Sequence, residues 1–312
     1  MPKILISDAM DSIAEKILLS NNIKVDVKTN FTIEELIEKI PVYDGLIVRS
    51  ATKVTKNIIE KAKNLKIIGR AGAGVDNIDL LSAKQNKIIV MNTPGGNTNA
   101  TAEHTLALLL SLSRKISKAD RTTHKGEWAK KNLKGNEIRG KTIGIIGFGN
   151  VGKRFAEMCH ALGLKILILS KSFRTIKNDY PDYIASDLNT ILKESDILSF
   201  HCKPNLDGSS IINTQELNIM KSNALIINTA RGNLVSETDL CVAIKDKKIA
   251  GAALDVFQTE PATNNILFGL ENVLLTPHIA ASTSEAQIIV AEMIANQFVD
   301  YFLRNKVNNV VT

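Results

Sequence analysis

Three short polar segments in the second half of the chain carry side chains whose types suit joint chemistry: Arg231, Glu260 and His278. Each segment follows an apolar run typical of a buried strand, and ligands of open α/β sheets bind beyond the carboxyl ends of the strands. A guanidinium grips a carboxylate at two points, and an imidazole takes a hydroxyl proton. A neighbouring carboxylate orients the imidazole and raises its pKa. The set suits hydride transfer at a carbon that bears a hydroxyl and a carboxylate.

A glycine motif precedes these segments and predicts a dinucleotide site. Gly147, Gly149 and Gly152 have the Gly-x-Gly-x-x-Gly spacing, and they lie between the apolar run 143–146 and a helical apolar face. In this context the first glycine permits a tight turn, the second admits a pyrophosphate, and the third lets the helix pack on the strand. The N-terminus of that helix would face the phosphates.

The end of the next predicted strand leaves the choice of cofactor open. A unit that prefers NAD carries an acidic residue about 20 positions after the glycines, where it bonds the ribose hydroxyl. Here Ser170 and Lys171 follow the strand, Arg174 comes shortly after, and no carboxylate is present. A hydroxyl and two cations suit the 2′-phosphate of NADP, so NAD and NADP both remain open.

The rest of the chain alternates strand and helix signals, which predicts an α/β protein with two doubly wound parallel-sheet domains. Five strands are predicted before residue 93. Six are predicted in the second series, at 143–146, 165–169, 196–200, 224–228, 250–254 and 273–276. A long helix is predicted from about Thr101 to Lys118, and a last one from Ser284 to Leu303, which returns to the first domain. The domains are predicted as 1–97 plus 285–312, for the substrate, and 98–284, for the dinucleotide.

Composition excludes several other classes of protein. The 312 residues include three distant cysteines, with neither zinc spacing nor a disulfide framework, so no metal site and a cytoplasmic location are expected. No apolar run is long enough to span a bilayer, and no membrane partner is expected. The net charge of +7 comes from scattered basic residues, which does not indicate nucleic-acid binding. His104, His124 and His160 are expected to be structural or exposed, whereas His201 has a possible place beside the cofactor.

These segments, in this order and spacing over nearly the whole chain, resemble the D-2-hydroxyacid dehydrogenase family. The resemblance implies a Rossmann cofactor domain inserted into a flavodoxin-like substrate domain, with Arg231, Glu260 and His278 as the catalytic set. Residues 46–53, 69–79 and 92–97 are most similar to members that oxidise D-3-phosphoglycerate, the first step of serine biosynthesis. A small phosphorylated hydroxyacid is therefore the implied substrate, and the implied contacts to it are Arg49, Ala73, Gly74, Val75 and Asn97. The predicted cofactor contacts are Gly147, Gly149, Asn150, Val151, Gly152, Ser170, Lys171, Arg174, Thr229, Asp255 and Ala281.

Two rival functions and two further expectations accompany this interpretation. One rival is an NADPH-dependent glyoxylate or hydroxypyruvate reductase, which the region from Ser170 to Arg174 favours. The other is a nucleotide-sensing corepressor on the same fold, which the complete Arg, Glu and His set disfavours. Longer family members carry a C-terminal domain that binds serine; the sequence has no such segment, so that feedback route is expected to be absent. Family members usually form homodimers through the long helix and the segment after it.

Overall fold

The computed structural model describes residues 1–312, and the chain divides into two compact units. One unit combines Met1–Asn97 with Ser282–Thr312, and the other is Thr98–Ala281. The second division lies at Ala281, three residues before the predicted boundary. Thr283, whose side chain caps the last helix, therefore belongs to the same unit as that helix.

The first unit is a five-stranded parallel sheet with the strand order β2-β1-β3-β4-β5, the doubly wound order of flavodoxin-like folds. Short apolar runs form its strands, and amphipathic helices connect them. Its elements are β1 (Lys3–Ile6), α1 (Ile13–Ser20), β2 (Lys24–Val27), α2 (Ile33–Lys39), β3 (Gly45–Val48), α3 (Lys56–Lys61), β4 (Ile67–Arg70), α4 (Leu80–Gln85), β5 (Ile89–Asn92) and the last helix, α12 (Ser284–Arg304).

Apolar side chains cover both faces of this sheet. On one face α12 packs beside α1, and Phe298 of α12 is fully buried there. Gly45 and Gly69 lie directly beneath the Phe298 ring, so close that a methyl group on either glycine would overlap it. The absence of side chains at these two positions allows α12 to approach the sheet, as the predicted return of the last helix requires.

The second unit is a seven-stranded parallel sheet with the order β12-β11-β10-β9-β6-β7-β8. The strand order reverses between β6 and β9, which is the switch point where α/β sheets bind ligands. Its elements are α5 (Thr98–Arg114), α6 (Ile116–His124), β6 (Thr142–Ile146), α7 (Asn150–Ala161), β7 (Lys165–Leu169), α8 (Lys171–Ile176), β8 (Tyr183–Ala185), α9 (Leu188–Glu194), β9 (Ile197–Phe200), α10 (Thr214–Ile219), β10 (Leu225–Asn228), α11 (Glu237–Lys245), β11 (Gly251–Leu254) and β12 (Val273–Leu275).

The fold class is confirmed, and two predictions about its elements are wrong. The second sheet has seven strands rather than six, because β8 is a three-residue edge strand too short to show a pattern. The predicted helix from Thr101 to Lys118 is two helices, since Lys115 adopts a left-handed conformation with φ of 55° and ends the first. All the helices are too short or too polar to span a bilayer.

The packing of α12 on the first sheet predicts the effect of Gly69→Ala. Its new methyl group would overlap Phe298 and lie 2.7 Å from Ile294, so we expect it to destabilise the protein by about 1–3 kcal/mol. Urea unfolding measures this, with Gly149→Ala as the control because no atom lies within 4 Å of the added carbon there. Phe298→Leu should recover part of the loss in the Gly69→Ala background. Equal stability of Gly69→Ala and wild type would contradict this packing.

Candidate active site

The glycine motif forms a tight turn between β6 and α7. Gly147 has φ of 100°, and a side chain there would overlap the backbone carbonyl of His201. A side chain on Gly152 would overlap the carbonyl oxygen of Gly147. Gly149 differs from both, because no atom lies within 4 Å of the position that its Cβ would occupy. Two glycines therefore close the turn, and the third leaves open space in front of the helix.

This open space lies at the N-terminus of α7, a helix of 12 residues whose first turn holds Asn150, Val151 and Gly152. Its N-cap, Gly149, has no side chain to accept a hydrogen bond from the first turn. The first backbone N–H groups of a helix have no partner within the helix, and the macrodipole adds a partial positive charge to them. The turn therefore fits a pyrophosphate, which is the group that the motif predicts here.

The segment after β7, which consists of Ser170 and the helix α8, presents hydroxyl groups and cations. The Ser170 and Ser172 hydroxyl oxygens are 2.9 Å apart, and Lys171 and Arg174 are exposed. Asp187, the N-cap of α9, is a nearby carboxylate that the sequence prediction missed. The backbone N–H of Thr190 contributes most to lowering the pKa of Asp187, and the positive charge of Arg174 lowers it further. The segment from Ser170 to Arg174 thus has no carboxylate of its own, but the carboxylate of Asp187 balances part of its charge.

Arg231 lies on the loop after β10, and a buried amide fixes the shape of this loop. The side chain of Asn228 accepts a hydrogen bond from the N–H of Ala230 at 3.0 Å and donates one to the carbonyl of Arg231 at 2.8 Å. Gly232 packs so closely on the backbone of Phe257 that a side chain would overlap it. The loops after β10 and β11 therefore lie in direct contact beside Arg231.

Glu260 and His278, from the loops after β11 and β12, form a hydrogen-bonded pair. Glu260 Oε2 is 2.6 Å from His278 Nδ1, and Oε1 accepts from the backbone N–H of Phe257 at 3.0 Å. The carboxylate is thus held at both oxygens. Because Nδ1 faces the carboxylate, Nε2 is the ring nitrogen that remains for proton exchange.

The charges around this pair shift both pKa values. The hydrogen bond that His278 donates to Glu260 raises the pKa of His278 above its ordinary value; burial opposes the rise, and the charge of Arg231 also lowers the pKa. For Glu260, burial raises the pKa, but the hydrogen bonds from His278 and Phe257 outweigh burial and the pKa is lowered. Both shifts therefore favour the charged forms, a Glu260 carboxylate and a His278 imidazolium. The Arg231 guanidinium lies near enough to affect the pKa of the imidazole.

Asp255 lies beneath this loop and holds its backbone. Its side chain is 0% exposed, and its oxygens accept from the N–H groups of Ile279 at 2.9 Å and Ala280 at 2.8 Å and from the Thr276 hydroxyl at 2.6 Å. Burial raises the pKa of Asp255, but the hydrogen bonds to its carboxylate, including the one from His104, hold the pKa below its usual value. Of the other predicted cofactor contacts, Thr229 is buried, and Ala281 is partly exposed just after the loop.

The four other histidines of this unit fall into three environments. Burial lowers the pKa of His201 to about 3, so its ring is neutral, and it shares a 2.9 Å hydrogen bond with Ser199. His124 and His160 are exposed on helices, as expected. His104 is partly buried and reaches Thr276, a role that the sequence prediction missed although the i, i+4, i+7 spacing of Thr101, Thr105 and Leu108 marks the inner face of α5. No cluster of three or more ligating side chains that would hold a metal ion is present.

The predicted substrate contacts all lie in the first unit. Arg49 lines a pocket of about 410 Å³ at the carboxyl end of that sheet, and its guanidinium donates to the carbonyl of Ala9 at 3.1 Å. The backbone N–H groups of Ala73, Gly74 and Val75 donate no hydrogen bond within the unit, so they can donate to an oxygen atom of a bound ligand. Asn97 is partly exposed at the end of the first segment.

Comparison with known proteins gives consistent matches. The family model for the D-isomer specific 2-hydroxyacid dehydrogenase NAD binding domain matches residues 106–280. The D-3-phosphoglycerate dehydrogenase of Archaeoglobus fulgidus is 43% identical, with 98% of this chain and 59% of the relative aligned. The hydroxypyruvate reductase of Thermotoga maritima is also 43% identical, over 90% of this chain and 92% of the relative. The first of these relatives is much longer, and the chain spans only about 59% of its length.

Among solved structures, an acyclic imino acid reductase in complex with NADPH and D-Arg superimposes with a TM-score of 0.88. It is 35% identical, and the match covers 99% of this chain and all of that one. The chain is therefore similar over nearly its whole length to a protein whose structure was solved in complex with NADPH.

The Glu260–His278 pair predicts a shift that does not depend on catalysis. Glu260→Gln removes the main cause of the raised His278 pKa, so the imidazole should titrate at lower pH. Nuclear magnetic resonance of the histidine side chains measures this. Asp120→Asn, which removes a carboxylate beside the exposed His124, is the matched control. An unchanged His278 titration in Glu260→Gln would contradict the pairing.

The same pair predicts how stability depends on pH. The stability that His278 contributes to the folded protein is fully present below its unfolded pKa near 6.5. This contribution is lost as pH rises through the raised folded pKa. The stability that Glu260 contributes is present above its unfolded pKa near 4.5. This contribution is lost as pH falls through the lowered folded pKa. The stability difference between wild type and Glu260→Gln should therefore peak at about pH 5 to 6.5. It should stay at about 1 kcal/mol or less, because His278 is 49% exposed.

Proposed function

Because the chain belongs to the D-isomer specific 2-hydroxyacid dehydrogenase family, we propose that it transfers a hydride between C2 of a small 2-hydroxyacid and a nicotinamide cofactor. The observation that carries this proposal is the 2.6 Å contact between Glu260 and His278, on loops beside the one that bears Arg231. An acid–base pair next to a guanidinium matches a substrate with a hydroxyl and a carboxylate on one carbon.

In the oxidative direction His278 Nε2 accepts the proton of the C2 hydroxyl, and the hydride leaves C2 as the carbonyl forms. Glu260 faces Nδ1 and stabilises the imidazolium that results. Arg231 binds the substrate carboxylate with its planar fork and polarises the developing carbonyl oxygen. In the reductive direction His278 returns the proton to that oxygen.

The cofactor is NAD or NADP, and the residues of the glycine turn fit either one. The open position at Gly149 and the first turn of α7 would hold the pyrophosphate, and Ser170, Lys171 and Arg174 would face the adenosine ribose. When bound, the nicotinamide supplies the hydride acceptor. We propose that backbone atoms near Thr229 and Ala281 contact the nicotinamide ring. Asp255 would act indirectly, by holding the loop that carries His278.

For the substrate we propose D-3-phosphoglycerate and its keto form, 3-phosphohydroxypyruvate, which would make the reaction the first step of serine biosynthesis. The relative from Archaeoglobus fulgidus carries the corresponding name. Arg49, the backbone N–H groups of residues 73–75 and the side chain of Asn97 would bind the anionic substrate. The rival substrate is unphosphorylated hydroxypyruvate, which the name of the relative from Thermotoga maritima supports.

We further propose that the protein forms a homodimer through α5 and the segment after it. This region exposes apolar side chains, including Trp128 with 86% of its surface accessible and Ile116. A nucleotide-sensing corepressor stays the non-enzymatic rival, and measured turnover would exclude it as the sole function.

Steady-state kinetics with 3-phosphohydroxypyruvate, hydroxypyruvate and glyoxylate, each with NADH and NADPH, tests the proposal. We expect the highest kcat/KM with the phosphorylated substrate; a higher value with hydroxypyruvate would favour the rival reductase. His278→Ala should lower kcat by about 10² to 10⁴, the usual contribution of a general acid–base group. His160→Ala, at an exposed position on α7, serves as the control. Near-wild-type turnover of the His278 variant with saturating substrate would rule out this mechanism.

Cofactor choice is tested separately at Ser170, the N-cap of α8. Wild type should accept NADPH, because Ser170, Lys171 and Arg174 suit a 2′-phosphate, although Asp187 offsets part of the Arg174 charge. Ser170→Asp should shift the kcat/KM ratio towards NADH by about 1–3 kcal/mol, since it adds a charged hydrogen bond to the ribose and repels the phosphate. Ser170→Ala is the control that removes the hydroxyl without adding charge. No NADPH turnover in wild type and an unchanged ratio in Ser170→Asp would show that Ser170 does not face the ribose.

A further inference from the structure

Two adjacent side chains of α5, His104 and Thr105, contact two of the three loops that carry the proposed catalytic residues, the loop of His278 and the loop of Arg231. His104 reaches Thr276, two residues before His278. Thr105 reaches Thr229, two residues before Arg231. One helical turn thus contacts both loops, and all of these residues belong to the second unit.

The contact of His104 has a defined direction. The Thr276 hydroxyl lies 2.6 Å from Asp255 Oδ1, and because a carboxylate only accepts, this hydroxyl donates its single proton there. Across the 3.1 Å to His104 Nε2 the hydroxyl must therefore accept, so Nε2 carries a hydrogen. The same nitrogen is 3.4 Å from Asp255. His104 thus completes the set of donors around the buried carboxylate.

The contact of Thr105 is equally constrained. Its hydroxyl donates to the carbonyl of Thr101, one turn earlier in α5, at 2.7 Å. It must then accept from the Thr229 hydroxyl, also at 2.7 Å. Thr105 is 0% exposed and Thr229 is buried, so no water competes for these bonds. Asn228, the residue before Thr229, is the amide that fixes the backbone of Arg231.

The loop that carries His278 needs such support. His278 has φ of 53°, a left-handed conformation that costs a side-chain-bearing residue about 1 kcal/mol or more. Asp255 holds the residues on both sides of it, through Thr276 before and Ile279 and Ala280 after. His104 is the side chain that links this cluster to α5.

We infer that His104 and Thr105 are positioning residues that fix the His278 loop and the Arg231 loop relative to each other through α5. The inference rests on the proposed function, because it assumes that those two loops carry the chemistry. Neither side chain needs to touch substrate or cofactor: each acts through the hydroxyl of a loop threonine. The loop that lost its contact would shift relative to the other loop, and catalysis is sensitive to misplacement of about 1 Å.

Four variants separate positioning from packing. His104→Leu and Thr105→Val remove the hydrogen bonds with little change in volume, and each should lower kcat about tenfold or more with a smaller change in KM. His104→Gln and Thr105→Ser keep a donor or a hydroxyl and should recover most of that loss. His160→Leu and Thr238→Val make the same replacements at exposed helix positions and should leave kcat unchanged.

A double mutant tests whether His104 acts through His278. In the His278→Ala background, His104→Leu should change kcat by less than about twofold, because the group that it positions is already gone. A tenfold loss in that background would assign His104 to general packing and overturn the inference. If His104→Leu does not fold, His104→Phe, which keeps a planar ring but has no donor, provides the same comparison.

Nuclear magnetic resonance distinguishes failure of this inference from failure of the proposed function. The charges that face His278 come from Glu260, Asp255 and Arg231, and the hydrogen bond with Glu260 is the main cause of its raised pKa. A loosened loop should weaken that hydrogen bond. The His278 imidazole should therefore titrate at lower pH in His104→Leu than in wild type, whether or not any substrate is turned over. An inactive wild type with this shift present would reject the function alone. Unchanged kinetics together with an unchanged His278 titration in His104→Leu would overturn the positioning role.

Discussion

The site depends on one buried charge, the carboxylate of Asp255. A carboxylate removed from water is stable only if donors replace its hydration, and here two backbone N–H groups, a hydroxyl and an imidazole supply them. Because two of those donors are backbone groups on the far side of His278, satisfying the charge also fixes the path of the loop. The local conformation of His278 is unfavourable by itself. It is maintained by the hydrogen bonds that this loop donates to the buried carboxylate of Asp255.

Parallel pairing brings the remaining parts to this carboxylate. In register, Asn228 of β10 lies beside Leu254 of β11, and Leu254 lies beside Leu275 of β12. The three loops that follow these strands therefore begin at the same edge of the sheet. Gly232 then lets the first two loops touch. Residues far apart in sequence meet because they share a position relative to strand ends, rather than because of any local attraction.

The sequence was informative where a pattern is local or where a strand is followed by polar residues. Glycine spacing predicted the turn before α7, and alternation predicted two parallel sheets. The roles of Asp187 and His104 could not be predicted, since each depends on a neighbour distant in the chain. The break at Lys115 was missed because nothing in the composition there marks a left-handed residue, and β8 was missed because three residues show no periodicity. The proposed contacts of Arg49, residues 73–75 and Asn97 still rest on the family resemblance.

The contact between α12 and the first sheet has a consequence for synthesis of the protein. Gly45 and Gly69 lie under Phe298, so the part of this face of β1, β3 and β4 that α1 leaves uncovered is covered by a helix made more than 200 residues later. At typical rates of translation, the ribosome needs about 10 to 40 s to make the roughly 180 residues of the second unit in between. Throughout that interval the nascent first unit exposes an apolar face containing Ile4, Ile47 and Ile67. The second unit is therefore able to complete its fold first, although its residues are made later.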